Sequence, residues 1–134
     1  MATRTDARRA VVSILFAQDC GNPDAVKLQD AFFEEQKIRN KQREFAKTLL
    51  SGAVENLDAI DDIIKAKLSA EWSIERIGRV EKAVLRLGTY EIKYTDVDLP
   101  IIINEALNIT KEIAADESPN FINGILDAIK SERI

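Results

Sequence analysis

Basic residues are the candidate functional groups that stand out most clearly by type and spacing in this 134-residue chain, and the chemistry they suggest is phosphate binding. Two stretches of eleven residues each hold several cations and a single acid. The first basic cluster comprises Lys37, Arg39, Lys41, Arg43 and Lys47, and the second comprises Arg76, Arg79, Lys82 and Arg86. Lysine and arginine bind phosphate whatever the base. A basic face that binds phosphate is therefore compatible with a net charge of only −4.

The remaining residues offer few groups that could carry out catalysis. The chain has no histidine, the usual general base and metal ligand near neutral pH. Cys20, the only cysteine, cannot form an internal disulfide and indicates a reducing compartment. The acidic pairs at 61–62 and 116–117 are adjacent, and adjacent residues on a helix do not face one another. We therefore expect a binding protein without enzymatic activity, metal or cofactor.

The elements that must position these cations are all predicted to be helical. Apolar residues, Tyr94 and Ile113 among those expected in the core, recur at three- and four-residue spacing, and no stretch alternates as a strand does. The predicted helices cover 3–20, 25–36, 41–68, 74–77, 79–94, 101–114 and 118 to the C-terminus; the third is either one long helix or two that meet near 52–56. We expect one all-α domain over 1–134, and no apolar run approaches the ~20 residues of a membrane span. A cytoplasmic location follows as an expectation.

Helix-capping residues indicate several of these boundaries. Thr3 or Thr5 is a suitable N-cap for the first helix and Gly21 a suitable stop, while Asn40 is predicted to cap the third helix. Ser118, followed by Pro119, is predicted to cap the last helix. Two other glycines have predicted roles: Gly78 as the residue that closes the 74–77 helix, and Gly88 as a point where a neighbouring helix approaches closely.

Three blocks in the second half of the chain carry a family resemblance. They are residues 72–92 (WSIERIGRVEKAVLRLGTYEI), Pro100 with residues 103–106 (INEA), and residues 117–127 (ESPNFINGILD). The N-terminal helix, with Ala7-Arg8 followed by Leu15-Phe16 and Gln18, adds a weaker match. In this order the blocks resemble the NusB family of transcription antitermination factors over essentially the whole chain.

The resemblance implies an all-helical fold of about seven helices in two packed small bundles. It also implies binding to the boxA element of ribosomal-RNA leader transcripts, as a partner of the ribosomal protein NusE. Through the antitermination complex, other Nus factors and RNA polymerase become further partners, and polymerase reads through terminators. Some members of the family form homodimers that cover the RNA surface, and the sequence leaves monomer and homodimer open.

The family's RNA surface, transferred position by position, implies a set of RNA-binding residues. They are Arg4, Arg8, Arg9, Phe16, Lys82, Arg86, Asn120, Phe121 and Asn123. The arginine-rich start typical of the family is thin here because Asp6 offsets part of its charge, and Asn120 stands where a lysine is common. Phe121 also fits the apolar face of the last helix, so core packing and base stacking are both open readings.

Two acidic residues, Glu75 and Glu81, are the expected contacts with NusE, because complementary charge fixes register and speeds association. The first basic cluster matches no family motif; a solvated face and supplementary phosphate contacts are both open. Two other functions compete: the RNA-binding domain of a ribosomal-RNA cytosine methyltransferase, and a helical adaptor that binds only protein. The first is disfavoured because no Rossmann-like domain or catalytic cysteine motif follows.

Overall fold

The computed structural model describes residues 2–69, 73–115 and 117–133, so Trp72 and Asp116 of the sequence patterns lie outside the described residues. Within these ranges the chain forms α-helices and turns and no β-strand. The helices are α1 (Arg4–Asp19), α2 (Gln29–Glu35), α3 (Asn40–Glu55), α4 (Leu57–Lys67), α5 (Arg79–Tyr94), α6 (Leu99–Ile113) and α7 (Ser118–Ile129), followed by a 3₁₀ turn (Lys130–Glu132).

Helix α5 lies at the centre of the molecule. It packs against α1 and α3 on one side and against α4, α6 and α7 on the other. From Ala83 to Ile92 every residue except Arg86 is buried, so this part of α5 is enclosed all round, as expected for a central helix. The predicted all-α fold of two packed bundles is confirmed, with α1–α3 and α4–α7 joined through α5.

Local sequence signals define both ends of α1. The Thr3 hydroxyl accepts a hydrogen bond from the Asp6 amide at 3.1 Å, and the Asp6 carboxylate accepts one from the Thr3 amide at 2.9 Å. This reciprocal pair is a capping box. At the other end Gly21 has φ = 101°, and its amide and that of Asn22 bond the carbonyls of Gln18 and Ala17. That pairing is a Schellman motif, which confirms Gly21 as the stop.

Two other predicted helices were wrong, and the choice left open for the 41–68 stretch is resolved. Residues 23–28 form turns, so α2 is shorter than the predicted 25–36 helix. The 41–68 stretch is two helices that meet at Asn56, the second of the two alternatives. Residues 74–76 form a turn rather than a helix, with a single backbone bond from the Arg76 amide to the Ser73 carbonyl. Gly78 consequently precedes α5 as its N-cap instead of closing a helix.

Two predicted caps and two predicted core residues were also wrong. Asn40 has a left-handed backbone (φ = 54°) and makes no capping bond, since the chain enters α3 through an extended Arg39. The Ser118 hydroxyl does not cap α7, because it donates to Glu81 instead. Ile113 and Tyr94 were assigned to the core and are exposed; Tyr94 stacks on the ring of Tyr90.

Close helix contacts at α5 depend on two glycines. A Cβ at Gly88 would lie 2.9 Å from a methyl group of Leu126, which confirms the predicted close approach, here by α7. A Cβ at Gly52 of α3 would lie only 2.2 Å from the ring of Tyr90. Tyr90 is itself buried, so the ring has little room to move away.

We therefore predict opposite effects for alanine at two helical glycines. Gly124 in α7 has open space around it, so Gly124→Ala should raise the free energy of unfolding by up to about 1 kcal/mol through helix propensity. Gly52→Ala gains the same propensity but overpacks Tyr90, which costs about 1–3 kcal/mol, and should be less stable than the parent. Urea unfolding measures both, and a Gly52→Ala variant at least as stable as the parent would contradict the Gly52 contact.

Candidate nucleic-acid and protein interface

The three arginines at the start of α1 have different surroundings. The expectation that all three are exposed was wrong for Arg8, which is 2 % exposed. Its guanidinium donates two hydrogen bonds of 2.8 Å to the two carboxylate oxygens of Glu91 in α5. Glu105 of α6 lies 3.5 Å from the same guanidinium and accepts a hydrogen bond of 2.7 Å from the Thr5 hydroxyl. Arg8 is therefore part of the packing between α1, α5 and α6.

Burial alone would lower the pKa of Arg8, because it disfavours the charged form. The hydrogen bonds and negative charge of Glu91, with the charge of Glu105, outweigh burial and raise the pKa above its usual value. Arg8 is thus held in its charged form inside the molecule. Its direct contact with RNA would require this pair to open, so a positioning role fits its place in the structure better.

Arg4 and Arg9 remain on the surface. Arg4 is exposed, with its guanidinium 4.5 Å from the centroid of the Phe45 ring. Arg9 is one-third exposed and paired with Asp6 and Glu112 at 2.8 Å each. The hydrogen bonds that Arg9 donates to Glu112 raise the pKa of Arg9 despite partial burial. Arg4 is accordingly the α1 arginine whose charge is most available to a ligand.

Several cations of the second basic cluster form ion pairs within the protein. Arg86 donates to both oxygens of Asp61 at 2.9 and 2.8 Å, and Lys82 lies 3.2 Å from Asp19. Their side chains are only 11 % and 12 % exposed. Burial opposes the charge of Arg86, but hydrogen bonding to Asp61 and the charge of Asp19 raise its pKa. Arg79 is 60 % exposed and lies 3.7 Å from Asp19.

A groove of about 380 Å³ separates the start of α5 from the start of α7. Ile77, Ala115 and the half-buried Phe121 form its apolar lining. On its polar side the Ser118 hydroxyl donates to Glu81 at 2.6 Å. The groove therefore places the Phe121 ring near the polar groups of Ser118 and Glu81, at the junction of two helices.

Several other predicted site residues are exposed. Asn120 and Asn123 are exposed three positions apart on α7, so they share a face. Glu75 is exposed in the turn that precedes α5, whereas Glu81 is half-buried. Phe16 of α1 is 37 % exposed. The structure thus brings Glu81 and Phe121 into one groove and leaves both asparagines and Glu75 accessible.

Sequence reasoning missed the acidic partners of these cations: Asp19, Asp61, Glu91 and Glu105. One of them carried a readable signal. Glu91 lies four residues after Leu87 in the buried stripe of α5, where a charged residue implies a buried partner. Nothing in the sequence, however, identified Arg8, 83 positions away, as that partner.

No helix in the described part of the chain is long and apolar enough to cross a bilayer. Among the same residues, no three Cys, Asp or Glu side chains cluster as metal ligands would.

Comparison with known proteins gives full-length matches. The sequence model of the NusB family matches residues 5–131. The transcription antitermination protein NusB of Nitratiruptor sp. is 54 % identical over 132 residues, which are 98 % of this chain and 94 % of the relative. That of Sulfurovum sp. is 53 % identical over 129 residues, 96 % of this chain and 98 % of the relative.

Solved structures agree. T. maritima NusB superposes with a TM-score of 0.89 at 34 % identity, covering 98 % of this chain and 93 % of that one. A complex of the antitermination factors NusB and NusE with double-stranded RNA matches with a TM-score of 0.87 at 32 % identity, covering 96 % of both chains.

The burial of Arg8 predicts that its loss affects stability first. Removing one partner of a buried ion pair leaves the other charge uncompensated, at a cost of about 3–5 kcal/mol. We expect Arg8→Ala to lower the free energy of unfolding by that amount, and Arg4→Ala, at an exposed site, by less than about 1 kcal/mol. Urea denaturation distinguishes the two, and equal small losses would contradict the assignment of Arg8 to the scaffold.

Proposed function

Because the chain belongs to the NusB family, we propose that it is a transcription antitermination factor that binds boxA RNA of ribosomal-RNA leader transcripts together with NusE. RNA polymerase and other Nus factors are its further partners in the antitermination complex, and the protein acts in the cytoplasm. Its role is binding rather than catalysis. The full-length NusB relatives support this function, as does a matched structure that is itself a complex of NusB, NusE and RNA.

The observation that carries the RNA-binding surface is the combination of an aromatic ring and accessible amides at α7. Single-stranded RNA is read by stacking of splayed bases on aromatic rings and by hydrogen bonds to their edges. Phe121 lines the groove, and Asn120 and Asn123 are exposed on the same helix. Phe121 would stack a base on the accessible part of its ring, and the two amides would bind base edges or backbone. Phe16, exposed on α1, is a second candidate for stacking.

Phosphate contacts in this proposal come from the more accessible cations. Arg4 and Arg79 are exposed, and Arg9 is partly so. Lys82 and Arg86 stay within the proposed surface, but their ion pairs with Asp19 and Asp61 reduce the charge that they present. Arg8 acts as a positioning residue that holds α1 against α5.

The proposed NusE surface lies at the turn before α5. Glu75 is exposed there, and Glu81 is half-buried in the first turn of the helix. Two carboxylates close in sequence attract basic side chains of a ribosomal protein and help fix its register. The Ser118 hydroxyl uses one oxygen of Glu81, which leaves Glu75 as the less encumbered contact.

We expect sequence-specific, salt-dependent RNA binding. A boxA RNA should bind more tightly than a scrambled RNA of equal length, and its affinity should fall as salt rises because phosphate contacts release cations. Asn123→Ala should weaken boxA binding by roughly tenfold, the equivalent of about 1.4 kcal/mol. Asn108→Ala, an exposed asparagine on α6, is the matched control and should bind as the parent does. Fluorescence anisotropy measures all four affinities.

Equal, weak binding of both RNAs, with and without NusE, would falsify the proposed function. It would favour the competing adaptor, which binds protein alone. Loss of boxA affinity in Asn108→Ala as large as in Asn123→Ala would instead remove Asn123 from the RNA surface while leaving the function in place.

A separate prediction concerns the NusE surface. Glu75→Lys places a cation where a basic partner docks, so affinity for NusE should fall by roughly tenfold or more, while boxA binding stays within about twofold of the parent. Glu44→Lys makes the same charge change at an exposed site on α3 and should leave NusE binding unchanged. Titration calorimetry with purified NusE gives both affinities. Equal losses in the two variants would mean that NusE responds only to net charge.

A further inference from the structure

The first basic cluster lies beside the start of α1 and has no role in the proposed function. We propose that Lys37, Arg39 and Lys41 form an accessory site for the phosphate backbone of single-stranded RNA that flanks boxA. The inference rests on the proposed function and extends it, because it assigns a path to RNA outside the recognised element.

The three cations line one side of an open groove of about 850 Å³. The start of α1 forms the other side, through Ala2 and Asp6. Among the described residues Asp6 is the only acid in this lining, and its carboxylate is already bonded to Arg9 and to the amide of Thr3. Those bonds lower the pKa of Asp6, the Thr3 amide most, so its charge persists but is compensated by Arg9. The groove therefore has an excess of positive charge.

Two of these cations are free to bind a ligand. Lys37 and Lys41 are exposed, and neither has an acidic group within 4.0 Å anywhere in residues 2–69, 73–115 and 117–133. The other members of the cluster are partly compensated. Arg39 and Arg43 share Glu34, and Lys47 pairs with Asp30 at 2.9 Å. Even so, Arg39 is 58 % exposed and has one acid shared between two arginines.

The groove adjoins the proposed RNA surface. Lys41 and Phe45 are four residues apart on α3, so they lie on one face about 6 Å apart along the helix axis. The guanidinium of Arg4 rests 4.5 Å from the Phe45 ring. Arg4 and Lys41 are thus neighbours, and a strand that contacts the start of α1 would meet the groove next.

The lining favours a nucleic-acid backbone over a protein. Besides the cations and Asp6 it consists of Ala2, Asn40 and two glutamines. It has no aromatic or large aliphatic side chain of the kind that anchors protein interfaces or stacks bases. Such a surface would attract phosphates without reading sequence, and it would add charge where the start of α1 has Arg8 buried and Arg9 paired with acids.

Binding of three RNAs, a core and two extended forms, to the full-length chain tests this inference. One is the boxA core, and each of the others carries about eight extra unstructured nucleotides, attached at the 5′ end in one molecule and at the 3′ end in the other. Lys37→Gln/Lys41→Gln removes the two free charges. Lys27→Gln/Lys65→Gln removes two exposed lysines elsewhere and is the matched control.

We expect the parent and the control to bind one extended RNA more tightly than the core. Lys37→Gln/Lys41→Gln should lose this advantage, roughly tenfold at low salt, while its affinity for the core is unchanged. The slope of log affinity against log salt should fall by about 1.4 for two lost contacts with single-stranded phosphate. Lys41→Gln alone should show about half of that change.

The results separate this inference from the function on which it rests. If the parent fails to distinguish the boxA core from a scrambled core, the proposed function fails. If the parent recognises the core but the extension adds nothing, or the two double variants bind the extended RNA equally, the accessory site is overturned while the function stands. If Lys37→Gln/Lys41→Gln weakens NusE binding and not RNA binding, the groove docks an acidic protein surface and the inference is wrong.

Discussion

The arrangement of the helices depends on the buried ion pair between Arg8 and Glu91. Both side chains are almost inaccessible to water, and removing two charges from water is costly unless geometry and hydrogen bonding are nearly ideal. The two parallel 2.8 Å bonds satisfy that demand only when α1 lies at one height and one rotation on α5. Glu105 and Thr5 extend the same constraint to α6. The pair therefore fixes register, and the hydrophobic core supplies most of the stabilisation.

The number of basic residues in the sequence therefore does not give the positive charge that the surface presents, because some of these residues form ion pairs within the protein. Asp19, at the end of α1, lies close to Arg79, Lys82 and Arg86, and Asp61 of α4 takes the bidentate bond of Arg86. An anion at a helix C-terminus is unfavourable, so these cations also compensate Asp19 against the dipole of α1. One basic cluster thus ties α1 and α4 to α5. The other lies where acidic side chains reach only part of it, and its charge remains available.

Sequence reasoning succeeded where the cause is local. The stop at Gly21 and the apolar periodicity of α5 depend on neighbours within a few residues and were predicted, and Thr3 was one of the two N-cap candidates for α1. It failed where a distant partner decides. Serine is a common N-cap residue, yet the Ser118 hydroxyl bonds Glu81, 37 residues away. Arginine is usually found on the surface, yet Arg8 is buried because it pairs with Glu91. In the candidate RNA surface, residue types were readable, while exposure and pairing depended on the fold.

The bond between Glu81 and Ser118 shows why these partners matter for the surface. Glu81 lies in the first turn of α5, where a carboxylate is favoured by the helix dipole, and its side chain folds back over Gly78. A Cβ at position 78 would lie 2.2 Å from a carboxylate oxygen of Glu81, so a glycine there leaves space for this conformation. Glu81 then holds the start of α7, from which Asn120 and Asn123 project only a turn away. The acidic turn proposed for the protein partner and the amide face proposed for RNA are therefore positioned by the same carboxylate.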